Sequence, residues 1–416
     1  YVANGLKLVK SDHGAAGIGT LASPHSTVEE LYLAGALMRA LGSDNIDYRL
    51  RNAEFAPAAS VRWLGTSIAS LSDLQRVLVV GSNLRKDHPL FAQRIRQAQR
   101  NGAQVNVVTS KALFNAADAW AMPVANADVQ EAGAWVQSLA NVAAAIAAEK
   151  GVSAPAAGTA SDTARAIAHS LLGGDRKAIL LGNAAAHHAK ASSLLSLANW
   201  IGAQTGATVG YLGEAANTVG AQVVGALPKA GGQTAGQMLA GGLKAVVLLN
   251  TEPAFDAANG AAAAQAIGQA DMVVTLSPFK ANMDISDVLL PISPFTETAG
   301  TFINTEGRAQ SFHGVVKPLG ETRPAWKVLR VLGSMLHVPG FEFETIEEVR
   351  AQAIPADVQA LLSNACTAQV DVSPAAGQPA SAAIYQLDSL VRRAPSLQLT
   401  ADAKQPAVAA QSQGGL

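Results

Sequence analysis

Chemistry needs side chains of the right type at workable spacing, and this chain of 416 residues offers few. Cys366 is its one cysteine. A lone thiol cannot hold an iron–sulfur cluster of the all-cysteine kind or a cysteine-based zinc, nor form an internal disulfide. His187 and His188 are adjacent. On a helix they would diverge by about 100° and could not chelate one metal together, so they read as structural or surface histidines. Gly17 and Gly19 begin a G-x-G-x-x-G pattern, but Ala22 stands at its third glycine. The neighbours do not read as a strand entering a helix, so packing in a tight turn explains these glycines better than a dinucleotide. Arg85-Lys86 follows a predicted strand, a place where a phosphate could be met. A solvated pair is the plainer reading. Chain order alone proposes no Ser–His–Asp or Cys–His constellation.

The elements that would position such residues are more legible. Ser286–Phe312 opens with the apolar run Val288-Leu289-Leu290, closed by Pro291, which reads as a strand that stops abruptly. Thr298–Ile303 and Arg308–Val316 follow, separated by Asn304-Thr305-Glu306-Gly307. Asn first and Gly last predict a type I turn and a hairpin, with Gly307 free to take positive φ. Upstream, Ser26-Thr27-Val28-Glu29-Glu30 predicts a capped helix, Ser26 as N-cap and Glu29 three residues on. Its apolar face is Leu31, Leu33, Leu37, Met38 and Leu41, and Gly42 ends it.

Arg76–Gly81 and Gln104–Val108 predict buried strands joined by a helix after His88-Pro89, with Leu90, Phe91, Ile95 and Ala98 inward. That is a βαβ unit, hence a parallel sheet. Asp128–Ala148 predicts a long alanine-rich helix, and the low-bulk stretch Gly151–Ser161 reads as a linker. Strands at Ala178–Leu181, Leu243–Leu249 and Met272–Leu276 then alternate with helices at Ala189–Gln204 and Asp256–Gln269. The alternation predicts an α/β protein of two doubly wound, mostly parallel-sheet lobes. Their expected spans are 1–150 and 151–340, followed by a helical and flexible C-terminal tail over 341–416. Within it Glu342–Ala353 predicts a short helix, and Leu397–Leu416 reads as polar and mobile.

Composition sets further bounds. Hydrophobic residues make up 49% and charged residues 15%, which excludes an intrinsically disordered chain. The net charge of −1 provides no basic field for nucleic acid. No apolar run is long enough to span a bilayer. With a single cysteine, a reducing interior is the default compartment. The chain opens at Tyr1 without a signal-peptide pattern, as expected of a piece of a longer protein.

The wording of the hairpin stretch says more than its composition. D-V-L-L-P, then E-T-A-G-T-F-I-N-T-E-G-R-A-Q, resembles a signature of the molybdopterin oxidoreductase superfamily. Asp287, Pro291, Glu297, Gly300, Thr301, Asn304, Glu306, Gly307, Arg308 and Gln310 all fall in place. Lys317-Pro318 and Pro324-Ala325-Trp326 continue it. S-T-V-E-E-L-Y with G-S-D-N-I-D-Y-R-L-R resembles a passage of formate dehydrogenase-type members, in which a cysteine or selenocysteine ligates molybdenum. Counting from Asp47 and Arg51, that position falls on Ala53, whose methyl group cannot ligate a metal. Glu54 is adjacent, so a one-residue slip would offer a carboxylate. Asn250-Thr251-Glu252-Pro253 is similar to the turn that touches the cofactor in active members, but departs from its G-x-N-P-A form. The resemblance runs from Thr20 to Gly333, and the C-terminal β-barrel that grips the pterin in active members is not expected of this tail.

Missing ligand, missing barrel and missing cysteines together resemble one branch, the large iron–sulfur subunit of bacterial NADH–quinone oxidoreductase (complex I). The resemblance implies a non-catalytic scaffold domain with no catalytic, cofactor-binding or metal-binding residue of its own. It implies 4Fe-4S and 2Fe-2S clusters in an N-terminal part outside this chain. As partners it implies that iron–sulfur region and other peripheral-arm subunits, with no nucleic acid and with the membrane met only through the complex. The location implied is the cytoplasmic side of the bacterial inner membrane. Two rivals stand beside it: an active molybdopterin-dependent dehydrogenase fragment with molybdenum on a carboxylate, and a free-standing nucleotide-binding module.

Overall fold

In the computed structural model, residues 1–416 are described except 58–59, 115–119, 230, 383, 402 and 404–416. The expectation of a mobile end therefore lies largely outside the described residues. In chain order the first strands are β1 (Ile18–Ala22), β2 (Ile46–Asp47), β3 (Arg76–Val80), β4 (Gln104–Thr109) and β5 (Asn126–Val129). Next come β6 (Lys177–Leu181), β7 (Thr208–Tyr211), β8 (Ala245–Leu249), β9 (Met272–Ser277) and β10 (Val288–Pro291). A hairpin of β11 (Gly300–Ile303) and β12 (Ala309–Phe312) completes the set.

The first ten strands form two parallel sheets, ordered β10-β9-β8-β1-β2 and β5-β4-β3-β6-β7. The fold is α/β, as the alternating pattern predicts. The chain divides into two units: Tyr1–Arg51 with Ala215–Leu361 and the described residues from Tyr385, and Asn52–Glu214 with Leu362–Ile384. The division expected at residue 150 is thus overturned. β3 pairs with β4 on one side and β6 on the other, so a single sheet spans that boundary. The supposed linker packs onto the helix Trp135–Lys150: Thr159 N–H donates to Asn141 at 2.8 Å, and Gly158 sits on the Ala140 carbonyl. Its small residues permit close approach, which composition cannot distinguish from a hinge. The C-terminal stretch is shared in the same way. The helix Ile346–Ala353 belongs to the first unit, while Asn364 in the second donates to the carbonyls of Trp63 and Val209.

In the second unit, alternation along β3 builds two cores. Leu78 and Val80 meet Trp135, Leu139 and Ile146 on one face. Val77 and Val79 meet Leu71, Ala92 and Ile95 on the other. Both faces are covered, hence the continuous apolar runs. The helix Pro89–Arg100 buries Ala92, Ile95 and Ala98, but Leu90 is outward and 74% exposed, against expectation. Its place in the first turn turns it from the Ile95 stripe. The helix expected from Asp128 begins only at Trp135, and Asn126–Val129 instead form the edge strand β5. That strand pairs on one side only and is too short and polar to read as a strand. In the first unit, the helix expected over Asp256–Gln269 is two pieces, Pro253–Asp256 and Gly260–Ile267.

Candidate functional site

The glycine pair near the N-terminus lies in a different setting from the one expected. Gly19 is inside β1, an interior strand of the first sheet, not in a turn. A Cβ on Gly19 would stand 2.7 Å from Leu243 Cδ1 and 2.9 Å from Met238 Sδ. Strand-to-element packing requires the glycine, and the phosphate turn that the pattern would mark is absent from this position.

β1 leads to the helix Val28–Leu41, whose N-cap is Thr27 rather than Ser26. Thr27 Oγ accepts from Glu30 N–H, and the Glu30 carboxylate accepts from Thr27 N–H at 2.9 Å, a capping box one residue later than expected. The shift frees Glu29, which reaches the hairpin. Its carboxylate accepts the Thr301 N–H at 2.9 Å and the Thr301 hydroxyl at 2.6 Å. Burial raises the pKa of Glu29 and the Thr301 hydrogen bonds oppose it. Burial takes Glu30 up to about 7.

Asn217 joins the same junction. Its side-chain N–H donates to Ser26 O at 2.8 Å, and its Oδ1 accepts Ile303 N–H at 2.9 Å. Sequence reasoning passes over Asn217, since an asparagine ahead of a short helix reads as a local cap. The one available signal is Gly220, whose missing Cβ leaves room for the Asn217 amide.

The motif residues before Ala53 act as latches within the first unit. Asn45 donates to the carbonyls of Ala16 and Ile18 and accepts Gln233 N–H. Asp47 accepts Ala235 N–H and pairs with Arg49 at 2.9 Å. Arg51 reaches Asp256 at 3.5 Å. Ala53 itself is exposed, and its N–H donates to His187 O at 3.3 Å. Glu54, the alternative carboxylate, accepts Ser192 N–H at 2.7 Å in the first turn of the helix Ala191–Thr205. An anionic side chain there complements the helix dipole.

In the second unit, β3 and β6 are adjacent strands where the connection order reverses, the point at which open α/β sheets bind ligands. Beyond their carboxyl ends lie Asp87, His88, His187 and Glu214. His187 Nε2 is 3.2 Å from Glu214, and its Nδ1 is 3.0 Å from Ala380 O. His188 instead meets Ala132 O at 2.9 Å and stacks on Trp135. The two histidines are buried and take separate partners. Burial pushes Asp87 up to about 6 and His88 down to about 4. Arg85 and Lys86 lie half-buried on the one-turn helix Leu84–Asp87, which Asn83 caps through Lys86 N–H. A Cβ on Gly81 would stand 2.7 Å from both Ala185 N and Trp135 Cζ3. The turn after β3 and the turn after β6 pack on each other, Gly182 lying against Ser82 and the Gly81 carbonyl.

In the first unit, the corresponding reversal lies between β1 and β8. Glu252 and Asp256, in the turn after β8, are buried. Each already has a cation: Arg393 for Glu252 at 2.7 Å, and Arg392 for Asp256 at 2.6 Å. Among the described residues, no three His, Cys, Asp or Glu side chains gather as metal ligands.

Two such parallel sheets and this hairpin define a class. The family model for molybdopterin oxidoreductase matches residues 1–335, and the chain belongs to that family. Among curated relatives, it is 25% identical over 395 residues to the NADPH-Fe(3+) oxidoreductase subunit alpha of Geobacter sulfurreducens, covering 80% of this chain and 47% of that protein. It is 25% identical over 421 residues to the probable oxidoreductase YjgC of Bacillus subtilis, covering 83% and 42%. The chain therefore spans less than half the length of these relatives. A shorter match, 40% over 65 residues, is to the mitochondrial NADH-ubiquinone oxidoreductase 78 kDa subunit of Candida albicans, covering 16% and 9%. Among solved structures, acetylene hydratase from Pelobacter acetylenicus superposes with a TM-score of 0.54 at 14% identity, covering 82% of this chain and 58% of that one. At that identity the likeness concerns the fold alone.

The family implies a molybdopterin group, which carries phosphate and is anionic. The crevice of the first unit does not fit it: a phosphate would meet two buried carboxylates whose cations come from the chain itself. Among the described residues, no helix is long and apolar enough to cross a membrane.

Proposed function

We propose that this chain is a non-catalytic scaffold domain of the large iron–sulfur subunit of a NADH–quinone oxidoreductase. The observation that carries the reading is Ala53, a methyl group at the position that ligates molybdenum in the resembled dehydrogenases. The neighbouring carboxylate of Glu54 supports it by serving a helix N-terminus. The match to the 78 kDa NADH-ubiquinone oxidoreductase subunit points the same way. On this reading electrons travel through clusters held elsewhere in the full-length protein, since one thiol cannot hold them here. Its partners are that iron–sulfur region and other subunits of the peripheral arm, on the cytoplasmic side of the bacterial inner membrane.

The longer matches to an NADPH-Fe(3+) oxidoreductase subunit and to YjgC favour a second reading, a fragment of an active pterin enzyme. Elemental analysis of the purified chain separates the two. The scaffold reading expects no molybdenum and no NADH oxidation by the isolated chain. It also expects the tagged full-length protein to co-purify with iron and NADH–quinone reductase activity. Molybdenum near one atom per chain would end it.

A further inference from the structure

The crevice between β1 and β8 of the first unit has an occupant within its own chain. Residues 385–400 fold into a small knot. Asp388 caps the turn Ser389–Arg392, and Gln398 donates to the carbonyls of Tyr385 and Val391. The knot lies against three turns at the carboxyl ends of the sheet. After β1, His25 meets Asp388 at 3.9 Å. After β8, Arg393 grips both oxygens of Glu252, at 2.7 and 3.0 Å, and Arg392 meets Asp256 at 2.6 Å. After β9, the Arg393 guanidinium lies 4.4 Å over the Phe279 ring, while Arg392 lies 5.1 Å over Phe255.

This pairing is built rather than incidental. The side chains of Arg392, Asp256 and Glu252 are 6%, 9% and 6% exposed. A buried carboxylate is stabilised by a facing cation, and a forked, bidentate pair fixes geometry as well as charge. Aromatic faces under both guanidiniums add a second recognition, which a planar cation meets by stacking as well as by charge. A nucleotide phosphate has the opposite sign. We infer that the switch-point crevice of the first unit is a receptor for the chain's own residues 385–400, selective for paired arginines and closed to phosphate-bearing cofactors.

Hydrogen–deuterium exchange on the whole chain tests this, comparing wild type with Arg392→Ala/Arg393→Ala. The expected result is at least tenfold faster exchange both in 386–398 and in the turn 250–256 of the double variant, with β3 and β4 unchanged. Should that variant fail to fold, Glu252→Gln/Asp256→Asn, which keeps side-chain shape, is expected to release the same two segments. Guanosine diphosphate, titrated by calorimetry, is expected to bind neither wild type nor the arginine double variant, both of which keep the two carboxylates. Exchange in 386–398 at free-peptide rates in wild type, unchanged exchange in the variants, or nucleotide binding to either form would each overturn the inference. It does not rest on the complex I reading: molybdenum in the purified chain ends that reading, whereas rapid exchange of the knot ends this one.

Discussion

Glu29 and Thr301, 272 residues apart in sequence, are joined by two hydrogen bonds in the interior of the first unit. The carboxylate fixes the hairpin strand β11 to the start of the helix Val28–Leu41. Both residues belong to stretches that resemble the family, yet their connection places them in a structural role. Thr301→Val keeps the shape and removes the 2.6 Å hydroxyl bond, leaving a buried carboxylate oxygen under-satisfied. The expected loss is roughly 1–3 kcal/mol of unfolding free energy. Denaturant titration checks this, and an unchanged midpoint would remove the latch.

Glu30 gives a pH signature. Its folded pKa, about 7, lies above the ordinary 4.5, so the fold favours the protonated form. Stability from this group is therefore full below 4.5 and declines as pH rises through 7. Glu30→Gln keeps an acceptor for Thr27 N–H but cannot ionise. Relative to wild type it is expected to gain roughly 1–3 kcal/mol between about pH 4.5 and about pH 8. A difference that does not vary with pH would contradict the buried-carboxyl assignment.

Gly307 takes φ 83° in the turn between β11 and β12, with Asn304 accepting Glu306 and Arg308 N–H groups. A β-branched residue is strained there, so Gly307→Val is expected to cost on the order of 1–2 kcal/mol. Melting at the wild-type temperature would show that the turn tolerates an L side chain in this conformation.

Glu54 separates a helix cap from a metal ligand. Glu54→Ala is expected to lower stability by about 0.5–2 kcal/mol through loss of the Ser192 N–H acceptor. Metal content, measured beside the denaturation curve, is expected to match wild type. Loss of bound molybdenum in this variant would show that the carboxylate is a ligand.

Local physics makes much of this chain legible in sequence. The runs at β3, β6, β8 and β9 are apolar because strands covered on both faces have no polar side to show. The Asn304–Gly307 turn is readable because only certain residues accept its dihedral angles. The alternation of these runs with helices determined the α/β class, and the wording of Ser286–Phe312 marked the family. What the tertiary structure decided concerns partners distant in the chain. A strand's neighbour follows from crossover order rather than from its own residues, so β3 pairing with β6 is not readable, and a boundary near 150 follows wrongly. β5 escapes notice because an edge strand needs little apolar character. Thr27 rather than Ser26 is the cap, which leaves Glu29 for Thr301, a pairing that no window of local sequence contains. Arg392 and Arg393 carry no signal in the local sequence that marks their partners. Only the folded sheet, which brings Glu252, Asp256, Phe255 and Phe279 to one crevice, gives those charges their place.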